Sequence, residues 1–321
     1  MDKSSRVFGV SLDQTETCRD KMKILFENVD FNSRSGPNSF GSKLAKQFLR
    51  SGHDLVKQNP DVCLAFIQSN NNFSSTVLRL DGIYFNTTQD WNRMNEPIRI
   101  SYDLASAVIV QSEFDRCLIT KFFGERDHIF VIRNGTDLEL IKQIPPADLE
   151  IERERVWMCA SVWRPHKRLI DNIRFFQTWS KENDVLLIAG KDSQKVISDA
   201  KIIDDRIKLL GDLSWHQLVS CMKASKNFIH LAWLDHCPNV VVDARASGCK
   251  IFCSDSGGTK EIAGENAVLV SEANWDFSPT ELYHPPSMDF FDVKDNIHNF
   301  TIDIETVSEK YLRVLSEMCL Q

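Results

Sequence analysis

The sequence has no apolar run of transmembrane length, no Cys-x-x-Cys pair and no complete Gly-x-Gly-x-x-Gly loop. Residues 1–21 are mostly polar, so we expect neither a signal peptide nor a membrane-spanning segment, and we predict a cytoplasmic protein. The missing glycine loop argues against a dinucleotide-dependent dehydrogenase, because that loop carries the pyrophosphate in such enzymes.

The cysteines and histidines also lack a pattern. Nine cysteines, an odd number, are scattered along the chain, and Cys249 and Cys253 lie within an apolar strand-like segment. This pattern indicates reduced, buried thiols rather than a disulfide framework. The eight histidines show no ligand spacing, so we expect no metal ion and no other resident cofactor.

The net charge and the length of the chain further limit which classes of protein it can belong to. The formal net charge of −7 gives no general attraction to phosphate backbones, so we expect no nucleic-acid partner. Hydrophobic residues make up 42% and charged residues 26% of the chain, as in folded globular proteins. A chain of 321 residues exceeds what one core usually serves, which predicts two domains.

Short apolar runs alternate with polar or helical stretches in the first half of the chain. Such alternation predicts a parallel sheet covered by helices. The predicted strands are Lys23–Asp30, Val62–Ile67, Thr76–Leu80, Ala107–Gln111 and His128–Ile132. A glycine-bearing loop at 32–41 precedes a predicted helix at Ser42–Ser51, and the proline-containing segment 138–155 is interpreted as a linker. The first domain is therefore predicted at 1–150.

A second series of the same kind predicts a second domain at 151–300. Its strands are expected at Val156–Ser161, Val185–Ala189, Ile207–Leu210, Asn227–Leu231 and Lys250–Ser254. The segment Ile304–Met318 is amphipathic, which predicts a terminal helix within 301–321. We expect this helix to pack back on the first domain.

Two carboxylates flank one predicted helix start in the second domain. Asp235 lies in a loop, Asn239 is placed to cap the helix, and Asp243 lies in its first turn. Acceptors in these positions suit the hydroxyls of a sugar and a ribose, and free helix amides suit a phosphate. A capped surface helix with incidental acids explains the spacing equally well.

Two further segments lie at predicted strand ends, where parallel sheets usually meet their ligands. Gly257 and Gly258 follow a strand and allow close approach of the backbone, although a plain turn would also need them. Arg164 and Lys167 belong to the segment Trp163–Arg168, whose cations can neutralise a departing diphosphate. Solvated surface residues are the alternative for this segment.

Together these segments resemble the retaining GT4 glycosyltransferases. Asp235 and Asp243 stand at the two positions of that family's Glu-x7-Glu signature, each one methylene shorter than glutamate. The resemblance implies that the first acid contacts the donor sugar and the second the ribose. It also implies that Arg164 and Lys167 act on the diphosphate, and that Gly257, Gly258, Glu261 and Asn239 belong to the donor site.

Fewer residues of the first domain carry this resemblance. Gly36, in Ser-Gly-Pro, resembles that family's glycine loop, and Leu78–Gly82 resembles a segment that faces the cleft in some members. Arg79 and Asp81 are therefore candidates for contact with the acceptor or the donor phosphate. A strand-end turn capped by aspartate explains this segment equally well.

The resemblance implies a GT-B fold, in which two Rossmann-like domains face each other across a cleft. The implied activity is transfer of a sugar, with retention, from a nucleotide-sugar donor to a glycan, lipid-linked or other hydroxyl acceptor. The catalytic residues would be Arg164, Lys167 and Asp235. The alternatives are a catalytically dead nucleotide-sugar-binding protein, and an epimerase or phosphorylase of the same architecture.

Overall fold

Continuous apolar runs form two separate sheets in this computed structural model, which describes residues 21–70, 73 and 75–320. The strands of the first sheet are β1 (Lys23–Glu27), β2 (Asp54–Leu55), β3 (Val62–Phe66), β4 (Thr76–Leu80), β5 (Ala107–Val110) and β6 (Ile129–Val131). They run parallel in the order β2-β1-β3-β4-β5-β6. Every residue of β3 and β4 is buried because helices cover both faces of the sheet. The helices after these strands are α1 (Gly36–Arg50), α2 (Trp91–Leu104), α3 (Glu113–Phe123) and α4 (Leu138–Gln143).

The second sheet repeats this plan. Its strands are β7 (Val156–Ala160), β8 (Val185–Ala189), β9 (Ile207–Gly211), β10 (Asn227–His230), β11 (Lys250–Ser254), β12 (Val268–Val270) and β13 (Val293–Asp295). Their order is β13-β12-β11-β10-β7-β8-β9, with β13 antiparallel at the edge. The helices are α5 (Leu169–Trp179), α6 (Ser193–Asp199), α7 (Trp215–Lys223), α8 (Asn239–Ala246), α9 (Thr259–Ala263) and α10 (Ile304–Cys319), with 3-10 turns at Arg153–Arg155 and Pro165–Lys167. The expected architecture of two Rossmann-like units is present.

The terminal helix α10 returns to the first sheet, as predicted. Its residues Tyr311 and Leu315 are fully buried in one core with Phe40 and Leu44 of α1. The apolar face of α10 is thereby covered, and the first unit is built from both ends of the described chain.

Two local predictions were wrong. Helix α1 begins at Gly36 rather than Ser42, since Pro37 near its start has the backbone angle that a first helical turn requires. Segment 138–155 is not only a linker, because Leu138–Gln143 forms α4. The amide of Leu140 donates a hydrogen bond of 2.9 Å to the carboxylate of Asp137, which caps that helix.

A strap, residues 271–292, crosses from β12 to the first unit before the chain returns to β13. Trp275 and Phe277 of the strap join an aromatic cluster with Phe85 and Phe114. A backbone bridge between Asn86 and Thr280 fixes the crossing. The two units are therefore joined by packing as well as by the chain.

Candidate active site

A cavity of about 530 Å³ lies between the two units, and we call it the cleft. Asp81, Ser161 and Gly190 line the cleft, and each follows the carboxyl end of a parallel strand. This edge is where open α/β sheets bind ligands. Other residues of the cleft are Arg34, Ser35, Gly36, Pro37, Gln111, Asn134, Arg164, Lys167, Lys191, Asp212, Leu213, His230, Asp235, His236, Cys237, Asn239 and Val240.

The loop after β7 places two cations in the cleft. Arg164 and Lys167, which were predicted to be catalytic, both line the cavity. The 3-10 turn that carries Lys167 ends at Arg168, whose φ of 53° lies in the left-handed region. Asn172 holds the turn by donating hydrogen bonds of 3.2 and 2.6 Å to the carbonyls of residues 167 and 168. Arg168 itself turns away from the cleft and pairs with Glu272 at 2.7 Å.

Asp235 lies at the centre of the cleft and is buried. Its Oδ2 accepts hydrogen bonds from Lys167 Nζ at 2.6 Å and contacts His230 Nε2 at 2.8 Å. Its Oδ1 accepts a bond of 3.0 Å from the backbone amide of His236. Burial alone would raise the pKa of Asp235, but Lys167 and His230 hold it well below its usual range. The carboxylate therefore stays ionised, and Lys167 is its counter-ion.

The paired glycines support the loop that carries Asp235. Gly257 has a φ of 71°, and a Cβ there would lie 2.4 Å from the carbonyl oxygen of Asp235. A Cβ at Gly258 would lie 2.0 Å from the carbonyl oxygen of His236. The absence of side chains at these glycines therefore allows their backbone to pack closely against the loop at residues 235–236. Neither glycine lines the cleft.

Asn239 reaches the cleft, but it does not cap α8 as predicted. The N-cap residue is Pro238, and Asn239 is the first residue of the helix. Its side chain accepts a bond of 3.0 Å from Asn134 and donates one of 2.9 Å to the carbonyl of Gly36. Asn239 therefore bridges the second unit to the start of α1 in the first.

Asp243 is placed away from the cleft lining. Its Oδ1 pairs with Lys43 of α1 at 2.8 Å, and its Oδ2 accepts a bond of 2.8 Å from Trp215 Nε1. The side chain is only 5% exposed. Both carboxylate oxygens are committed to protein contacts, so a ribose could reach this acid only by displacing one of them.

Glu261 joins the two units behind the cleft. Its carboxylate accepts hydrogen bonds of 3.0 and 3.1 Å from the backbone amides of Glu113 and Phe114, which open α3. It also pairs with Arg133 at 2.5 Å. A carboxylate in this position stabilises the amino terminus of a helix. Glu261 does not line the cleft where the donor was predicted to bind.

Arg79 is fully buried and does not face the cleft, which corrects its predicted role. Its guanidinium donates to Tyr311 Oη at 3.0 Å and to Asn134 Oδ1 at 2.8 Å, and it pairs with Asp81. Asp81 does line the cleft, and burial raises its pKa. Its Oδ2 has no hydrogen-bond partner among the residues that the structure describes.

Residues 141–277 match the family model of glycosyl transferases group 1. No curated protein matches the chain significantly. The crystal structure of Anabaena Alr3699/HepE in complex with UDP and glucose has a TM-score of 0.63 at 17% identity, covering 92% of this chain and 100% of that one. AviGT4, a glycosyltransferase involved in avilamycin A biosynthesis, has a TM-score of 0.62 at 13% identity, covering 93% and 98%. Sucrose-phosphate synthase from Thermosynechococcus elongatus has a TM-score of 0.61 at 13% identity, covering 93% and 90%. With its two sheets and returning helix, the chain has the GT-B fold.

One side of this GT-B cleft, formed by Arg34, Lys191 and Asp212, was not predicted from the sequence. Arg34 of the first unit reaches across to Asp212 at 3.1 Å and to the carbonyl of Leu213 at 3.3 Å. Lys191 lies 3.9 Å from the same Asp212. Polar residues directly after β8 and β9 were the available signal, because both strand ends had been predicted.

Residues 21–70, 73 and 75–320 contain neither a metal site nor a membrane-spanning helix. No group of three or more His, Cys, Asp or Glu side chains there is arranged to hold a metal ion. No helix in the same ranges has the length and apolar character needed to cross a bilayer.

Proposed function

We propose that the chain is a glycosyltransferase that moves a sugar from a nucleotide-sugar donor to a hydroxyl acceptor. The observation that carries this proposal is the cleft arrangement of Lys167, Arg164 and Asp235. Two cations and one carboxylate whose pKa is held well below its usual range lie in the loops that follow the strands of a GT-B fold. Cations in such a site stabilise the charge that develops on a leaving diphosphate.

The cleft suggests how a donor would lie. The diphosphate would lie between Lys167 and the start of α1, where no side chain of the described residues caps the helix at Ser35. The amides of Gly36 and Asn38 are available to an anion there, since Pro37 has no N–H. The nucleoside would extend toward Gly190, Lys191 and Asp212. The sugar would lie beside Asp235.

The similarity to a structure bound to UDP and glucose makes a UDP-sugar the first donor to test. We further propose transfer with retention of configuration, in the manner of the GT4 enzymes that the acidic motif resembles. In that mechanism no protein nucleophile is established. The acceptor would be a glycan, a lipid-linked sugar or another hydroxyl compound, and the reaction would need no metal cofactor.

Calorimetric titration of the chain with UDP, GDP and ADP tests donor binding. A ligand that binds the folded state raises the unfolding temperature, so a thermal-shift series with the matching nucleotide sugars extends the test. Lys167→Met should weaken binding of the preferred nucleotide, while Lys195→Met, an exposed residue on α6, should not. If no nucleotide binds, or if both variants bind alike, the proposal is wrong.

A turnover assay is needed to test whether the anomeric configuration is retained and whether the reaction proceeds without a metal ion. Proton NMR of the product would show whether the anomeric configuration of the donor is kept. Activity should survive EDTA, and loss in EDTA that magnesium or manganese restores would contradict the absence of a metal. A bound donor whose diphosphate contacts neither Lys167 nor the start of α1 would overturn the proposed orientation.

A nucleotide-sugar-binding protein without turnover is the alternative function. The observation that favours it is that Asp243 is fully engaged by Lys43 and Trp215, so one acid of the motif is withheld from the ligand. Tight nucleotide-sugar binding with no sugar release or transfer to any acceptor would support this alternative.

A further inference from the structure

The ring of His236 lies at the meeting point of the two units. It follows Asp235 in the second unit, and its Nδ1 lies 2.5 Å from Oδ1 of Asp115 in α3 of the first. Asp115 is fully buried. A buried carboxylate next to one ring nitrogen fixes both the position and the tautomer of a histidine.

The surrounding residues leave the ring one position. A Cβ at residue 82 would lie 2.3 Å from Cε1 of His236, so only Gly82 leaves room for the ring. The rings of Phe85 and Phe114 pack against it at centroid distances of 6.2 and 5.7 Å. The orientation of the imidazole is therefore set before any ligand arrives.

The opposite side of the ring is open to the cleft. His236 lines the cavity and its side chain is 23% exposed. Among the described residues no side chain or backbone group forms a hydrogen bond with its Nε2. Because an ionised carboxylate can only accept hydrogen bonds, the neutral imidazole carries its proton on Nδ1 toward Asp115. The lone pair of Nε2 then points toward the cleft.

We propose that His236 is the group that accepts the proton of the acceptor hydroxyl, with Asp115 as its positioning residue. This inference rests on the proposed transferase function. In the step, the acceptor O–H bond breaks and its proton passes to Nε2, while the acceptor oxygen forms a bond to C1 of the donor sugar on the face from which the diphosphate leaves. The bond from C1 to the diphosphate breaks and its electron pair leaves with the diphosphate. The imidazolium later returns its proton to water.

The charges around the ring support a base that works near neutral pH. Burial lowers the pKa of His236, but the Asp115 carboxylate outweighs it and the net shift is upward. Asp235 and Asp81 add negative charge, whereas Lys167 opposes it. The neighbouring His166 stays neutral, because burial lowers its pKa to about 3. The rate should therefore rise with pH through a pKa above 6.5 and then level off.

The ring itself is tested first, by nitrogen NMR of the folded full-length chain. We expect the Nδ1–H tautomer and a pKa above 6.5 for His236, and a lower pKa in Asp115→Asn. A proton on Nε2 in the neutral form, or a pKa that Asp115→Asn leaves unchanged, would overturn the proposal without reference to activity.

Turnover is tested with UDP-glucose, measuring UDP release with water and with a panel of methyl hexosides as acceptors. His236→Gln should lower turnover by roughly 10²- to 10⁴-fold, the usual contribution of a general base, and change UDP affinity less than about threefold, well below the tenfold that 1.4 kcal/mol represents. The exposed His284→Gln is the matched control and should behave as wild type.

The outcomes separate the two proposals. If the wild type is active and His236→Gln shows normal turnover and an unchanged pH profile, His236 is not the base. The proposed transferase function would not be contradicted by that result. Equal loss of UDP binding and turnover would make His236 a donor ligand instead. If the wild-type chain binds neither UDP nor another nucleotide, both the proposed transferase function and the proposed role of His236 as a base are wrong.

Discussion

The ammonium group of Lys167 lies 2.6 Å from the carboxylate of Asp235, so the two cleft residues are one ion pair. The sequence suggested separate roles for them, the lysine on the diphosphate and the aspartate on the sugar. The contact means that a change in either residue alters the charge of the other's surroundings. Their effects on turnover must therefore be coupled.

The first prediction concerns this pair. Lys167→Met should lower turnover by roughly 10²- to 10³-fold, because one electrostatic stabiliser of the leaving group is lost. Asp235→Asn should also lower turnover, yet bind UDP at least as tightly as wild type, since Lys167 loses its counter-ion. The double variant should show a coupling free energy of about 0.5–3 kcal/mol in kcat/KM. Kinetics and UDP calorimetry on all three variants measure it, and additive losses would show that the ion pair has no role in the reaction.

The second prediction assigns Glu261 to stability rather than donor binding. Glu261→Gln weakens the pair with Arg133 and the hydrogen bonds from the start of α3, so the free energy of unfolding should fall by about 3 kcal/mol. UDP affinity of the folded chain should not change. Urea unfolding and calorimetry test this, with the exposed Glu265→Gln as the control. If Glu261→Gln instead loses UDP affinity while its urea midpoint is unchanged, Glu261 does bind the donor.

The third prediction concerns the shortened acid of the motif. Asp243→Glu brings back the residue of the resembled family, but the side chain lies in a filled site between Lys43 and Trp215. The extra methylene should lower the free energy of unfolding by about 1–3 kcal/mol and should not improve UDP affinity. Asp199→Glu, at an exposed position on α6, is the control. A gain in UDP affinity without loss of stability would mean that residue 243 does reach the ribose.

The fourth prediction is a pH dependence of stability. The pKa of His166 is lowered to about 3 by burial and by Lys167, whereas an unfolded histidine titrates near 6.5. Below pH 6.5 the unfolded chain therefore binds more protons, and the free energy of unfolding falls by at most about 1.4 kcal/mol per pH unit down to pH 3. His166→Phe removes the titration and keeps the stacking on Tyr283. Urea unfolding between pH 7 and 4 should show a flatter slope in the variant and no change in His284→Phe; parallel slopes would contradict the prediction.

The strands were predictable because both faces of each sheet are covered. Runs such as those of β3 and β8 are apolar throughout, and this pattern depends on local sequence alone. The strap and β13 were missed, since strap residues such as Trp275 and Phe277 pack on distant partners in the first unit. The start of α1 was misplaced because a Gly-Pro pair suits both a loop and a first helical turn.

The candidate site was predicted where a strand end carries the residue and misjudged where a remote partner decides its orientation. Lys167 and Asp235 lie in the loops that follow β7 and β10, so they reach the cleft by topology. Arg79 also belongs to a strand end, but Tyr311, which lies 232 residues away in sequence, binds its guanidinium in the core. No local pattern reveals such a partner. His236 escaped notice for the same reason, since Asp115 belongs to the other unit.

The return of α10 to the first sheet has a consequence for biosynthesis. During translation the first sheet emerges early, but Phe40 and the charged Arg79 lack their cover until Tyr311 has been made. The core clusters of the second unit contain no residue beyond Ile302, so that core can be complete before α10 has been made. The chain should therefore complete its later half first, and a ribosome-stalled fragment ending before residue 304 should expose the first sheet to proteases and chaperones.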